Sequence, residues 1–394
     1  FRGQGRMCIR ERSLMMKIQA KFDGGNIEYI GVDTLKKTVL LNIKDDCNAN
    51  EKQWFYFSAT ELKNINYTYQ ICNACDVSYP EAWATCSIVA SYDQKEWFRV
   101  STLYDGQSLK FSHLSKNETV YFALFAPYSY QQHQQLINRS LQHEHCKLIE
   151  SGLSIKGKNI DLLRIDTDKA ECCEKLSIWV IARQHPAETM AEWFIQGFIE
   201  ALLNNNSLIS KELLASATFY IVPNMNIDGS ISGNLRTNAA GVDLNRSWLD
   251  PDIKTSPESF YIKEKMKETG VDLFLDIHGD EDIPYAFIAS AEGNPSYSEK
   301  LAMQDKAFRN IFANATTDFC IENGYDANQP MEGNLKVAGN QIGELFNCLS
   351  LTIEMPFTDN KFQPDEQYGW SPQRSIDLGS AVLSPILHFV TSSH

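Results

Sequence analysis

The chain has no run approaching the ~20 uninterrupted apolar residues that a membrane-spanning helix needs, which argues against a membrane partner. It has no excess of positive charge either. Its 36 Lys and Arg stand against 50 Asp and Glu, a net of −14, and such a surface repels a phosphate backbone, so nucleic acid is not an expected partner. The same field repels acidic substrates at long range unless a local basic pocket overrides it. No internal repeat and no Pro/Gly-rich linker interrupts the 394 residues. A secretory signal is missing too: Arg2, Arg6, Arg10 and Arg12 are not followed by an apolar run. Residues 1–16 are therefore expected to be a leader or a remnant of expression or upstream translation, with natural initiation at Met15 or Met16. Ten cysteines without such a signal point to a reducing cytoplasm and free thiols, and the adjacency of Cys172 and Cys173 argues against a disulfide framework. Cys72-x-x-Cys75 lacks the second pair that would complete a zinc knuckle.

What is present is enough for a large core, with 43% hydrophobic and 11% aromatic residues, and the length suggests two domains or one with an appendage. Residues 17–126 show short aromatic or alternating runs, at Trp54–Phe57, Tyr67–Cys72, Ala84–Ser91 and Val120–Phe125. Turn signals separate them at Asp23-Gly24-Gly25, Asp45-Asp46 and Asp105-Gly106, which predicts an antiparallel β-sandwich. The polar, Gln/His-rich stretch Tyr128–Lys147 predicts a helix at the junction. Residues 127–394 then alternate strands with helices. Buried strands are expected at Ser177–Ala182, Thr218–Val222, Val271–Ile277 and Leu349–Met355, with an amphipathic helix over Glu188–Leu203. Ser371-Pro372 opens a C-terminal helix that should bend at Pro385. This half is an α/β domain on a central sheet, and the fold class overall is α/β.

Ligands of α/β sheets gather past the carboxyl ends of strands, and three such ends carry unusual residues. His185-x-x-Glu188 follows one strand, His278 follows another, and Glu354 is a lone carboxylate inside an apolar run, where burial of its charge is expensive. Two ligands from one turn and a third from a distant strand would leave a fourth position open for water, as a catalytic zinc requires. His278-x-x-Glu281 has the same spacing, but Glu281 falls in the polar run Asp280–Asp282, expected to be a solvated loop. His143-Glu144-His145-Cys146 is a denser cluster without a sheet to organise it. The long Asn-rich segment from Val222 to Trp248 reads as a functional loop, and its Arg236, Asn245 and Arg246 suit a carboxylate.

His185-Pro-Ala-Glu188, the Asn224–Trp248 run, Leu275-Asp-Ile-His278-Gly and Thr352-Ile-Glu354-Met resemble, in order, zinc metallocarboxypeptidases of the carboxypeptidase A type. Trp54-Phe-Tyr-Phe57 and Phe125-Ala-Pro-Tyr128-Ser-Tyr130 resemble markers of the cytosolic carboxypeptidase branch, including its bacterial, deglutamylase-like members. The resemblance implies an α/β/α catalytic domain with a mixed sheet, one zinc per chain, and a peptide or protein C-terminus as substrate. It implies His185, Glu188 and His278 as zinc ligands, and Asp243 on the far nitrogen of His185. It further implies Asn245 and Arg246 on the terminal carboxylate, Arg236 on the developing oxyanion and Glu354 as general base. Lys336, in Met331-Glu-Gly-Asn-Leu-Lys336-Val, stands where that branch carries an arginine that selects acidic C-terminal residues. Departures are Asn-Ile-Asp-Gly for Asn-Pro-Asp-Gly and His-Pro-Ala-Glu for His-Pro-Gly-Glu. The branch's mobile pocket tyrosine matches neither Tyr325 nor Tyr368 by motif. Two rivals share these residues: an aspartoacylase-type zinc amide hydrolase, and a catalytically inactive peptide-binding relative.

Overall fold

The computed structural model describes residues 16–60, 65–167, 175–326 and 329–392. All but the last residue of the expected leader, and the Cys172–Cys173 pair, lie outside the described residues. Among them, the N-terminal strands are β1 (Lys17–Gln19), β2 (Glu28–Asp33), β3 (Thr38–Asn42), β4 (Tyr56–Thr60), β5 (Asn66–Ile71), β6 (Ile88–Ser91), β7 (Phe98–Val100), β8 (Thr102–Tyr104), β9 (Leu109–Leu114) and β10 (Thr119–Ala123). They form two five-stranded sheets, ordered β1-β4-β10-β6-β7 and β2-β3-β5-β9-β8. Inward aromatics join the sheets. Phe122 of β10 lies 4.7 Å from Tyr69 of β5 and 5.2 Å from Phe111 of β9, centroid to centroid. All pairings are antiparallel except β3 with β5, which run parallel because β4, between them in sequence, crosses to the other sheet.

The second half holds α1 (Tyr130–Ser140), β11 (Cys146–Ile149), β12 (Leu162–Ile165), β13 (Leu176–Ala182), α2 (Thr189–Leu202), α3 (Leu208–Ser216), β14 (Ala217–Val222), α4 (Ile227–Ser232), α5 (Pro257–Thr269), β15 (Leu273–Asp280), β16 (Phe287–Ser290), α6 (Glu299–Ala315), α7 (Ala338–Phe346), β17 (Leu349–Pro356), α8 (Pro372–Ala381) and α9 (Leu383–Ser392). One seven-stranded mixed sheet runs β11-β12-β14-β13-β15-β17-β16. Its four central strands are parallel. Both faces are covered, so β13 reads as a continuous apolar run. Ile178 and Val180 join the core shared with α2 and α8, while Trp179 and Ile181 join the opposite one with Ile262 of α5 and Ile342 of α7. Helices α2 and α8 touch backbone to backbone. A Cβ at Gly197 would meet the Ile376 carbonyl oxygen at 2.0 Å, and one at Gly379 the Phe194 oxygen at 2.0 Å. After β13 the chain goes to β14 on one side and later to β15 on the other, which makes their carboxyl ends a switch point that opens a crevice.

Several boundaries differ from expectation. Ala84 ends a 3₁₀ turn, Pro80–Ala84, that buries Trp83 with its indole nitrogen on the Ala74 carbonyl; the strand itself starts at Ile88. Strand β15 runs three residues beyond Ile277, because pairing with β17 continues to Asp280, so His278 lies inside the strand. The Val222–Trp248 segment is not structureless, since it contains α4 and a 3₁₀ turn at Leu244–Arg246. The C-terminal helix breaks at Val382, not at Pro385, which sits harmlessly in the first turn of α9 where no N–H is needed.

The junction helix α1 has a capping box from Ser129 and Gln132, and it presents a buried histidine. His133 Nδ1 meets Glu192 Oε1 at 2.6 Å and its Nε2 meets Asp161 Oδ2 at 2.9 Å. Burial alone would lower its pKa, but the two carboxylates outweigh that and push it up to about 9. A raised pKa means that this stabilisation is whole below the unfolded value of about 6.5 and is lost as pH rises through about 9. Urea unfolding should therefore show an advantage of wild type over His133→Gln on the order of 2–3 kcal/mol at pH 6, shrinking towards zero by pH ~9.5. An advantage independent of pH would contradict the charged assignment.

Candidate active site

The last residue of β13 is followed by Arg183, whose φ of +58° is a left-handed conformation costly for a side chain bearing a Cβ. Its buried guanidinium offsets that cost. Nη1 donates to Glu192 Oε2 at 2.6 Å and to the Tyr128 carbonyl at 2.9 Å, while Nε donates to the Pro186 carbonyl at 3.0 Å. The turn that carries His185 and Glu188 is thus tied to α2 and to the domain junction. Glu188 is the N-cap of α2, where helix-end amides favour an anion.

The Glu188 carboxylate is shared by two buried imidazoles. Oε1 lies 2.6 Å from His185 Nδ1, and Oε2 lies 2.8 Å from His278 Nδ1. Burial would raise the Glu188 pKa, but the imidazoles outweigh it and hold the carboxyl at about 2. Each far nitrogen meets another carboxylate: His185 Nε2 meets Asp243 Oδ1 at 3.0 Å, and His278 Nε2 meets Asp276 Oδ2 at 3.0 Å. Gln184 donates to Asp276 at 2.7 Å and accepts from the Trp248 indole at 2.7 Å. One ring nitrogen of each histidine and one Glu188 carboxylate oxygen all lie within 4.8 Å of one another. With both histidines backed by acceptors, this donor set fits a zinc ion with room for a further ligand. Among the described residues no other group gathers three such ligands. His143 of the denser cluster turns instead to Asn205, at 3.1 Å.

These residues open on a cleft of about 410 Å³ that also includes Arg236, Asn245, Arg246 and Glu354 in its lining. Arg236 donates from Nε to Asp243 Oδ2 at 2.8 Å and from Nη1 to the Tyr79 hydroxyl at 2.7 Å. The Ala338 N–H donates to Asn245 Oδ1 at 2.9 Å, which leaves Asn245 Nδ2 as the donor. Glu354 faces His278 across the β15–β17 ladder. It is buried, and Oε2 has no hydrogen-bond partner. Burial pushes its pKa well above the carboxylate range; His278 opposes this, and Glu188, Asp280 and Asp276 add to it. Tyr325 places its hydroxyl 2.6 Å from Asp280 and 3.4 Å from Glu354, whereas Tyr368 bonds Glu96 of the sandwich outside the lining.

Two expectations change. Glu281 is not a fully solvated loop residue: it is partly buried, lines the cleft, and burial with Glu188 and Asp280 nearby raises its pKa. Lys336 is exposed and lies outside the lining, and its carbonyl accepts from the Trp248 N–H at 3.1 Å. Sequence reasoning passed over Asp276, although a carboxylate two residues before His278 in an apolar strand is the same signal that marked Glu354. It also passed over Tyr79, which carried no signal at all.

A group that could chelate a metal thus stands at the switch point of a mixed sheet, beside a buried glutamate and a cleft lined by two arginines. Residues 134–371 match the zinc carboxypeptidase family, and residues 18–125 match the cytosolic carboxypeptidase N-terminal domain. The chain belongs to the zinc carboxypeptidase family. It is 38% identical to an uncharacterized protein of Zymomonas mobilis, over 96% of this chain and 97% of that one. The metallo-carboxypeptidase of Burkholderia cenocepacia superposes with a TM-score of 0.93 at 40% identity, covering 96% of this chain and 100% of that one. That of Pseudomonas aeruginosa, solved in complex with (2-guanidinoethylmercapto)succinic acid, gives 0.93 at 41% identity, with 96% and 100% covered.

Metal analysis of the purified chain should find about one zinc, lost in His185→Ala and in His278→Ala. Asp243→Asn should keep the fold and weaken zinc binding by roughly 10–100-fold, as loss of such a backing carboxylate does. Full zinc retention in both histidine variants would remove this site.

Proposed function

We propose that this chain is a zinc-dependent carboxypeptidase that removes the C-terminal residue of a peptide or protein in the cytoplasm. The observation that carries the proposal is the convergence of His185, Glu188 and His278 at one end of the cleft, beside an unpartnered Glu354 oxygen. Those three residues would hold a zinc ion, which when bound would supply Lewis acidity to a water and to the scissile carbonyl. Asn245 and Arg246 bind the substrate's terminal carboxylate, a planar anion suited to amide and guanidinium donors. Arg236 donates to the oxyanion that develops on the scissile carbonyl. Glu354 takes the water's proton on its open oxygen and hands it to the leaving nitrogen. Asp243 accepts from His185 Nε2–H, which leaves the Nδ1 lone pair free for a metal ion. The seven cysteines among the described residues are all free thiols, which suits a reducing compartment. The sandwich match favours this reading over an acylamino-acid hydrolase.

Glu354→Gln should retain zinc and stability while kcat falls by ~10²–10⁴-fold, the typical weight of general acid–base catalysis. Turnover near wild type in that variant would assign the base elsewhere. A preference for C-terminal Glu or Asp, if Lys336 sets it, has to act from outside the lining as a diffuse attraction. Release of Glu against Leu from matched peptides should then favour Glu at low salt, and Lys336→Met should remove that preference. Preference for Leu, or an acidic preference that survives the substitution, would clear Lys336 of the role.

A further inference from the structure

The sandwich meets the segment that carries Arg236 at two points, through Tyr79, which lines the cleft, and through Asp46, which does not. Asp46, on the loop after β3, is 5% exposed and accepts from three successive backbone amides of the catalytic domain. These are Leu235 N at 2.5 Å, Arg236 N at 2.8 Å and Thr237 N at 2.8 Å, joined by the Thr237 hydroxyl at 3.0 Å. Successive amides turned onto one carboxylate form an anion nest, a geometry that fixes the backbone on both sides of Arg236. Tyr79 holds the other end. Its hydroxyl accepts from Arg236 Nη1 at 2.7 Å.

Tyr79 is itself clamped. The buried Gln53 side chain accepts from Tyr79 N at 2.9 Å and donates to the Tyr79 carbonyl at 3.1 Å. Gly241 shows how closely the two domains meet along this loop: with φ at +81°, a Cβ there would lie 2.2 Å from the Asn48 carbonyl oxygen. Arg236 is thereby held at the backbone by Asp46, at Nε by Asp243 and at Nη1 by Tyr79, while Nη2 takes part in none of these bonds.

We propose that the sandwich is a working part of the active site, with Tyr79 and Asp46 as positioning residues that hold Arg236 where the oxyanion develops. This rests on the carboxypeptidase reading above and deepens it. A flexible arginine would bind a ground-state carbonyl nearly as well as a fixed one, but it would lose orientation at the transition state. The effect should fall on kcat more than on KM.

The test is steady-state hydrolysis of a peptide with a free C-terminus by the full chain carrying Tyr79→Phe, which keeps the ring and removes one oxygen. Since losing a whole oxyanion donor costs ~10²–10³ in kcat, losing one of its supports should cost about tenfold, with KM changed less than about twofold. Zinc content and unfolding temperature should match wild type. In an Arg236→Ala background the same substitution should change kcat by less than about twofold, because the residue it acts through is gone. Asp46→Asn should show the same pattern where it folds. Wild-type kcat in Tyr79→Phe, or an equal loss in both backgrounds, would overturn the inference alone. An Arg236→Ala variant with unchanged kcat would overturn the reading beneath it as well.

Discussion

Taking a carboxylate and two imidazoles out of water together costs several kcal/mol per charge unless each finds a partner, and that cost shapes this protein around Glu188. Its two oxygens are taken by His185 and His278, whose far nitrogens are taken by Asp243 and Asp276. Asp243 then holds Arg236, and Asp276 is reached through Gln184 from Trp248. These groups come from three places, the turn after β13, strand β15 and the segment before α5, so none of the three can shift without unpairing buried polar groups. The Arg183–Glu192 pair repeats the pattern a turn away and closes the network onto His133 and the domain junction.

The sheet explains why such a network can be built here. A parallel core covered on both faces is rigid, and its switch point leaves room at the carboxyl ends of β13 and β15. Glu354, opposite His278 in register, is delivered by the ladder, with no loop needed to place it. Gly279, beside His278, stays small because a Cβ there would meet Met190 Sδ at 2.5 Å. Packing and chemistry are thus set by the same few strand positions.

Much of this was legible from residue order. Apolar runs named the central strands, and polar residues misplaced at their ends named His185, Glu188, His278 and Glu354, since burying them needs a reason that local sequence can reveal. Boundaries were less legible, because pairing partners decide them: β15 continues to Asp280 only because β17 accompanies it. Least legible were the groups that meet across domains. Asp46 and Tyr79 stand 190 and 157 residues from Arg236, in stretches whose composition says only turn and aromatic. Lys336 shows the limit of a motif: its position in the sequence suggests a pocket, while its exposed side chain lies outside the cleft lining.

A metal-dependent site that reads a free C-terminus is what the proposed function requires. The most direct measurement compares hydrolysis of one peptide as its free acid and as its C-terminal amide, each with and without a zinc chelator. Release of the last residue is expected from the free acid alone, abolished by chelator and restored by zinc, as the proposed seating of a terminal carboxylate by Asn245 and Arg246 requires. Equal cleavage of acid and amide, or cleavage indifferent to chelator, would contradict it.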